Sequence, residues 1–409
     1  MDTAAALTLQ SRLGAPAPKL PPHLMALLQQ ETPRFSVVEM QRRRKAFAEA
    51  LAAAGCDHAL FIGGDRRGSA LQWLSGWPAN TDNFLVVTPG QQDVLFVRYP
   101  NHLPQAKVLA PEADVRWGAK GGGNLAVDEL LARGAKGKSV GVIGTFGLGY
   151  FEKLQAAGFK LIDANRVYTG LRLIKSDEEI EWARIGAALS DAGLEGLAKG
   201  MKPGMNEHEL AALIEHAYVP WGGGTGIHHL GVTAMANPDC IVPSQFPRNR
   251  TLKKGDMVFT EISSLFWSYS GQVLRSFTID AEPTPLYRDL YDVADATYHA
   301  VLKALKPGNT PKDVLDAASP IIDKAGFTVC DDLVHGYIGG YLPPVLGTHQ
   351  RPSGPIPDLV FKENMAMVVQ PSVVTKDSKA GVQTGQLVRI TKTGAESLHT
   401  APWGFRNVG

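Results

Sequence analysis

The stretch from Leu252 to Asp280, LKKGDMVFTEISSLFWSYSGQVLRSFTID, constrains the fold more than any other part of the chain. It reads as two strands, MVFTEIS and QVLRSFTI, joined across a turn near Ser268 to Gly271. Two helices precede it. One covers 177–199. The other starts after Asn206, which can cap it, and Glu209 three positions on completes a capping-box-like pair. Short strands follow near the end of the chain, in MAMVVQPSVV and QLVRITKTG.

The 409 residues are too many for one ordinary core, so two domains are expected. Ser36 caps a helix over 36–54, with Glu39 three residues on. HALFIG reads as a buried strand, FLVVTPG and DVLFVRYP as a hairpin pair, and SVGVIG as a strand followed by a helix from about Tyr150 to Ala157. This alternation makes 35–163 a mixed α/β domain. Residues 1–34, rich in Pro and Ala, are read as an arm lying on the surface or on a partner subunit, and 164–409 as the second domain. The run Arg42-Arg43-Arg44-Lys45 is read as a solvated helix face, because the chain has no other basic run of this length and its net charge is only +1. Gly121-Gly122-Gly123 and Gly222-Gly223-Gly224 lack the Lys-Ser/Thr or GxGxxG context of a phosphate loop and are read as flexible loops.

Composition excludes several classes. With 44% hydrophobic and 20% charged residues the chain suits a globular protein, and a net charge of +1 advertises neither nucleic acid nor anionic lipid as a partner. No apolar run reaches the roughly 18 residues of a membrane span, and the opening residues carry no signal-peptide pattern. Cys56, Cys240 and Cys330 are scattered, without zinc or disulfide spacing, and favour a reducing compartment; a cytoplasmic location is expected.

Several stretches line up in order: LRLIKSDEEIEWARIGAALSDAGL, MKPGMNEHELAALIE, LKKGDMVFTEISS, SGQVLRSF, VHGYIGG, MAMVVQP and LVRITKTGAESL. Together they resemble the superfamily of creatinase, prolidase, aminopeptidase P and methionine aminopeptidase. The resemblance implies an α+β fold: a C-terminal pita-bread domain preceded by a smaller creatinase-type α/β domain. It also implies a homodimer. The metalloenzymes of this superfamily hold two metals with two Asp, one His and two Glu. Those positions fall here on Glu261, Gln272, His335, Gln370 and Gly385. The assisting His positions fall at or beside Ser244 and on Leu342. Creatinase, a metal-free member, uses a His and two Glu, which fall on Ser244, Gln370 and Leu274, so its catalytic set does not transfer.

A site without metals should also shed carboxylates, since crowded carboxylates repel one another unless a cation offsets the repulsion. The residues therefore suggest no metal and no cofactor, with Glu261 and His335 as an acid–base pair. Gln272 and Gln370 are read as donors to a substrate carboxylate or carbonyl. His228, His229, Tyr269, Arg275, Asp331 and Tyr337 are expected to shape the substrate pocket, Arg275 chiefly as support. The expected function is a metal-independent, creatinase-like hydrolase of a C–N bond in a small molecule. The alternatives are a lyase of the same fold, a metal-dependent Xaa-Pro aminopeptidase or prolidase, and a non-catalytic peptide-binding module.

Overall fold

Contacts in the computed structural model, which describes residues 12–64, 70–145 and 147–409, divide the chain into two units. One comprises Glu31–Leu173; the other comprises Met1–Gln30 together with Ile174–Gly409.

In the first unit, helix α1 (Val37–Ala53) begins where Ser36 accepts a hydrogen bond from Glu39 N. Six strands follow: β1 (His58–Gly63), β2 (Asn83–Val87), β3 (Val94–Val97), β4 (Asp114–Trp117), β5 (Ser139–Ile143) and β6 (Lys160–Asp163). They form one sheet in the order β4-β3-β2-β1-β5-β6. The β2–β3 hairpin and the β1–β2 pair are antiparallel, whereas β1–β5, β3–β4 and β5–β6 are parallel. Leu60, Phe84, Val86 and Phe96 from the sheet pack with Ala126 and Leu130 of helix α2 (Gly122–Ala132).

Two expectations about this unit change. Arg43 does not lie on a solvated face: it is 1% exposed, donates to Glu39 Oε1 and Trp73 O, and lies over the Phe35 ring. A guanidinium is weakly hydrated and stacks on aromatic rings, so it is buried where the helix meets Trp73. Gly122 and Gly123 open α2 rather than a loop, and Gly122 packs against Phe84.

In the second unit, helices α3 (Asp177–Gly200) and α4 (Glu207–Tyr218) each begin with a full capping box, at Ser176/Glu179 and Asn206/Glu209. Three long strands follow, β7 (Gly224–Ala234), β8 (Asp256–Phe266) and β9 (Tyr269–Ile279). Helices α5 (Pro285–Ala304) and α6 (Pro311–Lys324) come next. The chain then forms β10 (Thr328–Val329), β11 (Val334–Gly336), β12 (Leu342–Leu346), β13 (Ala366–Val369), β14 (Ser372–Val374), β15 (Gly381–Gln383) and β16 (Gly385–Ile390). The main sheet runs β12-β11-β13-β16-β9-β8-β7, and a small sheet runs β10-β14-β15.

Helix α3 lies across one face of β8 and β9. Gly271 lets it approach closely, for a Cβ there would sit 2.3 Å from Ala187 Cα. Ser264 N donates to Ser190 Oγ on the same face. Residues alternate along a strand, so Glu261 and Gln272 project from the opposite face. That face carries the candidate site. Among the described residues no helix is long and apolar enough to cross a membrane.

Candidate active site

Glu261 sits in the middle of β8, paired with His229 on β7 and Leu274 on β9. Directly paired residues share a face, so His229 and Glu261 are neighbours. Gln272 is two residues from Leu274 on β9 and shares that face. Its Nε2 donates to Glu261 Oε1 at 2.8 Å and to Gln370 Oε1 at 2.9 Å. Gln370 follows β13, and its Nε2 donates to Asp332 Oδ2 at 3.4 Å. Asp332 Oδ1 accepts from Tyr341 OH at 2.6 Å, and Asp332 N donates to Asp331 Oδ1 at 2.8 Å. Gln383, at the end of β15, donates to Glu261 Oε2 at 3.5 Å. One hydrogen-bonded run thus joins strands that are far apart in sequence.

His335 on β11 is fully buried beside this run. Its Nδ1 faces Gly336 O at 3.1 Å, which places the proton on Nδ1 and leaves Nε2 as an acceptor. Among the described residues Nε2 has no hydrogen bond of good geometry, although the Gln370 amide lies next to it. The imidazole stacks on Tyr341, with centroids 3.9 Å apart at 16°, and meets Tyr337 edge-on at 5.3 Å.

The electrostatics follow from burial and crowding. Burial first, then the Asp331 charge, pushes the Glu261 carboxyl up to about 7. Asp331 rises to about 6 through burial and its carboxyl neighbour Asp332. Burial lowers His335 to about 4, so its imidazole is neutral near pH 7. Burial and the bond to Asp332 raise the Tyr341 phenol.

The structure brings Glu261, Gln272, Gln370, Asp331, His335, Tyr337 and His229 to this face, and it leaves three expected residues elsewhere. His228 points to the opposite side of β7, where its Nε2 meets Tyr218 OH at 2.5 Å; adjacent strand residues cannot share a face. Tyr269 is buried against α3, with its OH donating to Glu179 Oε1. Arg275 also faces away. It donates to the carbonyls of Leu274, Gly385 and Pro402 and to Gln386 Oε1, and it stacks on Trp403. Its role is to tie the C-terminal segment to the sheet. The clamp expectation also changes for Gln272, since both its Nε2 hydrogens are engaged within the centre. Gln383 was not foreseen; its only sequence signal was its place two residues before a ligand position.

The two-metal set implied by the resemblance does not fit these residues. Of the five positions only Glu261 and His335 retain a metal-binding group, and Gln272 and Gln370 are bonded to each other. At Gly385 a Cβ would lie 2.1 Å from Val369 O, with φ at +151°, so this backbone has no room for a carboxylate side chain. Among the described residues no group of three or more His, Cys, Asp or Glu is arranged to hold a metal ion.

Comparison with known proteins defines the family. The chain matches the creatinase/prolidase N-terminal domain over residues 43–174 and metallopeptidase family M24 over residues 181–392. It is 25% identical to an Xaa-Pro dipeptidase of Pyrococcus furiosus over 276 residues, 66% of this chain and 76% of that protein. Dipeptidase PepE from Mycobacterium ulcerans superposes with a TM-score of 0.77 at 22% identity, covering 92% of this chain and 99% of that one. The prolidase of Pyrococcus horikoshii superposes at 0.74 with 20% identity, covering 88% and 99%. These findings correct the expectation of a metal-independent, creatinase-like hydrolase of a small-molecule C–N bond, because the matching family is one of metallopeptidases and the relatives are dipeptidases and prolidases. With its creatinase-type N-terminal domain and C-terminal pita-bread domain, the chain belongs to metallopeptidase family M24, within the creatinase and prolidase superfamily.

Proposed function

We propose that this chain is a hydrolase of small Xaa-Pro-type peptides, working at the face of β8 and β9 that carries Glu261. The observation behind this reading is the hydrogen-bonded run from Gln383 through Glu261, Gln272, Gln370 and Asp332 to Tyr341, beside a buried neutral imidazole. The substrate class comes from the relatives, among them the Xaa-Pro dipeptidase of Pyrococcus furiosus. Glu261, with its carboxyl at about 7, is the group that takes up and returns a proton at its Oε atoms. Gln272 and Gln383 fix that carboxyl, and Tyr337 and Tyr341 wall the imidazole. A cytoplasmic homodimer completes the proposal.

The test is proline release from Ala-Pro and Gly-Pro, with added Mn²⁺ and with chelator, by the parent and by Glu261→Gln. The expected result is cleavage by the parent and a kcat lower by about 10²–10⁴ in the variant. No proline release under either condition would refute it. A second reading, a peptide-binding module on the same cleft, is favoured by the amides at 272 and 370 and the closed position 385. It expects Gly-Pro to bind without being cleaved.

A further inference from the structure

The candidate centre stands on two sides of a narrow junction in the main sheet. Glu261 and Gln272 lie on β8 and β9; Gln370 follows β13, and Gln383 ends β15, just before β16. Ten residue pairs join β8 to β9, whereas β9 and β16 share two, Leu274 with Gly385 and Val273 with Gln386. Ser276 Oγ adds one bond, to Gln383 O at 2.7 Å. Yet the bonds that assemble the centre, from Gln272 to Gln370 and from Gln383 to Glu261, run from one side to the other. Catalytic groups misplaced by an ångström lose much of their effect, so the register of this junction matters.

On the opposite face, Arg275 bridges the same junction. Fully buried, it donates to Leu274 O and Gly385 O, each at 2.8 Å, and to Gln386 Oε1 at 2.7 Å. Among the described residues its hydrogen bonds all go to neutral oxygens, and a buried cation needs a countercharge. Burial pulls the guanidinium down, and Asp191 on α3 is the first charge that opposes it. Asp191 is 6% exposed and holds the C-terminal segment, accepting from His399 Nδ1 at 2.7 Å, Thr400 N at 2.6 Å and Ala401 N at 3.1 Å. Burial acts to raise this carboxyl, but His399 and Thr400 N outweigh it and hold it below its usual range. The next two residues reach Arg275. Pro402 O accepts from its Nε at 3.0 Å, and the Trp403 ring lies 4.6 Å from the guanidinium carbon. Trp403 Nε1 donates in turn to Asp295 Oδ1 on α5 at 2.5 Å.

We propose that Asp191 is a positioning residue of the candidate site: by holding residues 399–401 it seats Pro402 and Trp403 on Arg275, and the seated guanidinium fixes β9 against β16 so that the two sides of the centre meet. Its effect on catalysis rests on the proposed function; its effect on the junction rests on these bonds alone. Asp191 touches no substrate. It acts through a continuous chain of packed and hydrogen-bonded groups, each named above.

The test compares the full-length parent with Asp191→Asn and Trp403→Leu by two readouts. One is hydrogen exchange, read by mass spectrometry over 270–277, 381–390 and 399–408; the other is kcat and KM for Gly-Pro. Asp191→Asn keeps the shape and removes the charge. Trp403→Leu loosens the seat from the other side, at a half-buried residue, and serves if Asp191→Asn does not fold. The expected result is exchange faster by about tenfold or more in 270–277 and 381–390 as well as in 399–408, with kcat lower by about tenfold or more and KM within about threefold. A residue that only anchored the last residues of the chain would speed exchange in 399–408 alone and leave kcat unchanged, and that result overturns the inference. So does faster exchange at the junction with an unchanged kcat in a parent that cleaves Gly-Pro. If the parent releases no proline, the Xaa-Pro reading falls, and exchange across 270–277 and 381–390 alone decides the role of Asp191.

Discussion

Replacing Glu261 with Gln should make the protein more stable at alkaline pH. In the folded chain the Glu261 carboxyl titrates at about 7, because it is buried and faces the charge of Asp331. In the unfolded chain it titrates near 4.3. Between these values the folded state holds a proton that the unfolded state has lost. The contribution of this group is therefore fully present below about pH 4 and is lost as the pH rises through 7. At about 1.4 kcal/mol for each tenfold change in proton affinity, the separation corresponds to about 4 kcal/mol in all; about 3 kcal/mol of it falls between pH 5 and pH 8.5, which partial exposure of the residue reduces to about 2 kcal/mol. The amide introduced by Glu261→Gln would be neutral throughout. Its oxygen would keep the bond from Gln272 Nε2. Its nitrogen would face Gln383, whose Oε1 is buried without a partner among the described residues and becomes an acceptor when the Gln383 amide turns over. Urea denaturation followed by tryptophan fluorescence at pH 5 and pH 8.5 measures the effect. The variant should gain about 2 kcal/mol on the parent between the two pH values. A difference that does not change with pH, or a variant less stable at pH 8.5, would show that the Glu261 carboxyl is not held protonated by its surroundings.

Gly385→Ala should destabilise the chain by more than about 2 kcal/mol, or prevent folding, because its Cβ would lie 2.1 Å from Val369 O at a φ of +151°. Gly394→Ala, where nothing lies within 4 Å, is the control and should stay within about 0.5 kcal/mol in the same urea titration. In solution the protein should behave as a homodimer by light scattering, at about twice the 44.0 kDa chain mass. A species of one chain mass at micromolar concentration would contradict this.

Sequence pattern carried far for elements whose signals are local. The caps at Ser36 and Asn206 and the two strands around Glu261 need only neighbours a few residues away, and the structure has them. The turn between those strands is tighter than expected: Trp267 and Ser268 alone separate them, with Trp267 at a φ of 56°. Strand β7 was not legible, because its glycines and paired histidines imitate a loop; ten residue pairings with β8 hold it as a strand. The site itself was half legible. Motif order brought Glu261, Gln272, His335 and Gln370 to one place, but it could not show that Gln383 would reach Glu261 from a different sheet. Nor could it show where side chains point. His228 and His229 are adjacent letters on opposite faces, and Arg275, three residues from Gln272, serves the C-terminal segment instead of the centre.

The backbone around Gly385 also bears on how reversible this chain's divergence is. The side-chain change at 370 can be undone by one substitution, since Gln and Glu have nearly the same shape, and the one at 272 by exchanging Gln for the shorter Asp. Position 385 is different, because Val369 O occupies the space that any side chain there would need. A lineage that has closed this gap cannot reopen it by substitution alone; β13 and β16 would have to shift against each other, breaking the pairing of Val369 with Gln386. The glycine acts as a ratchet. It holds the family's architecture while closing the direct route back to the family's five-ligand chemistry, so laboratory reversion should begin with the strand register and only then turn to the side chains.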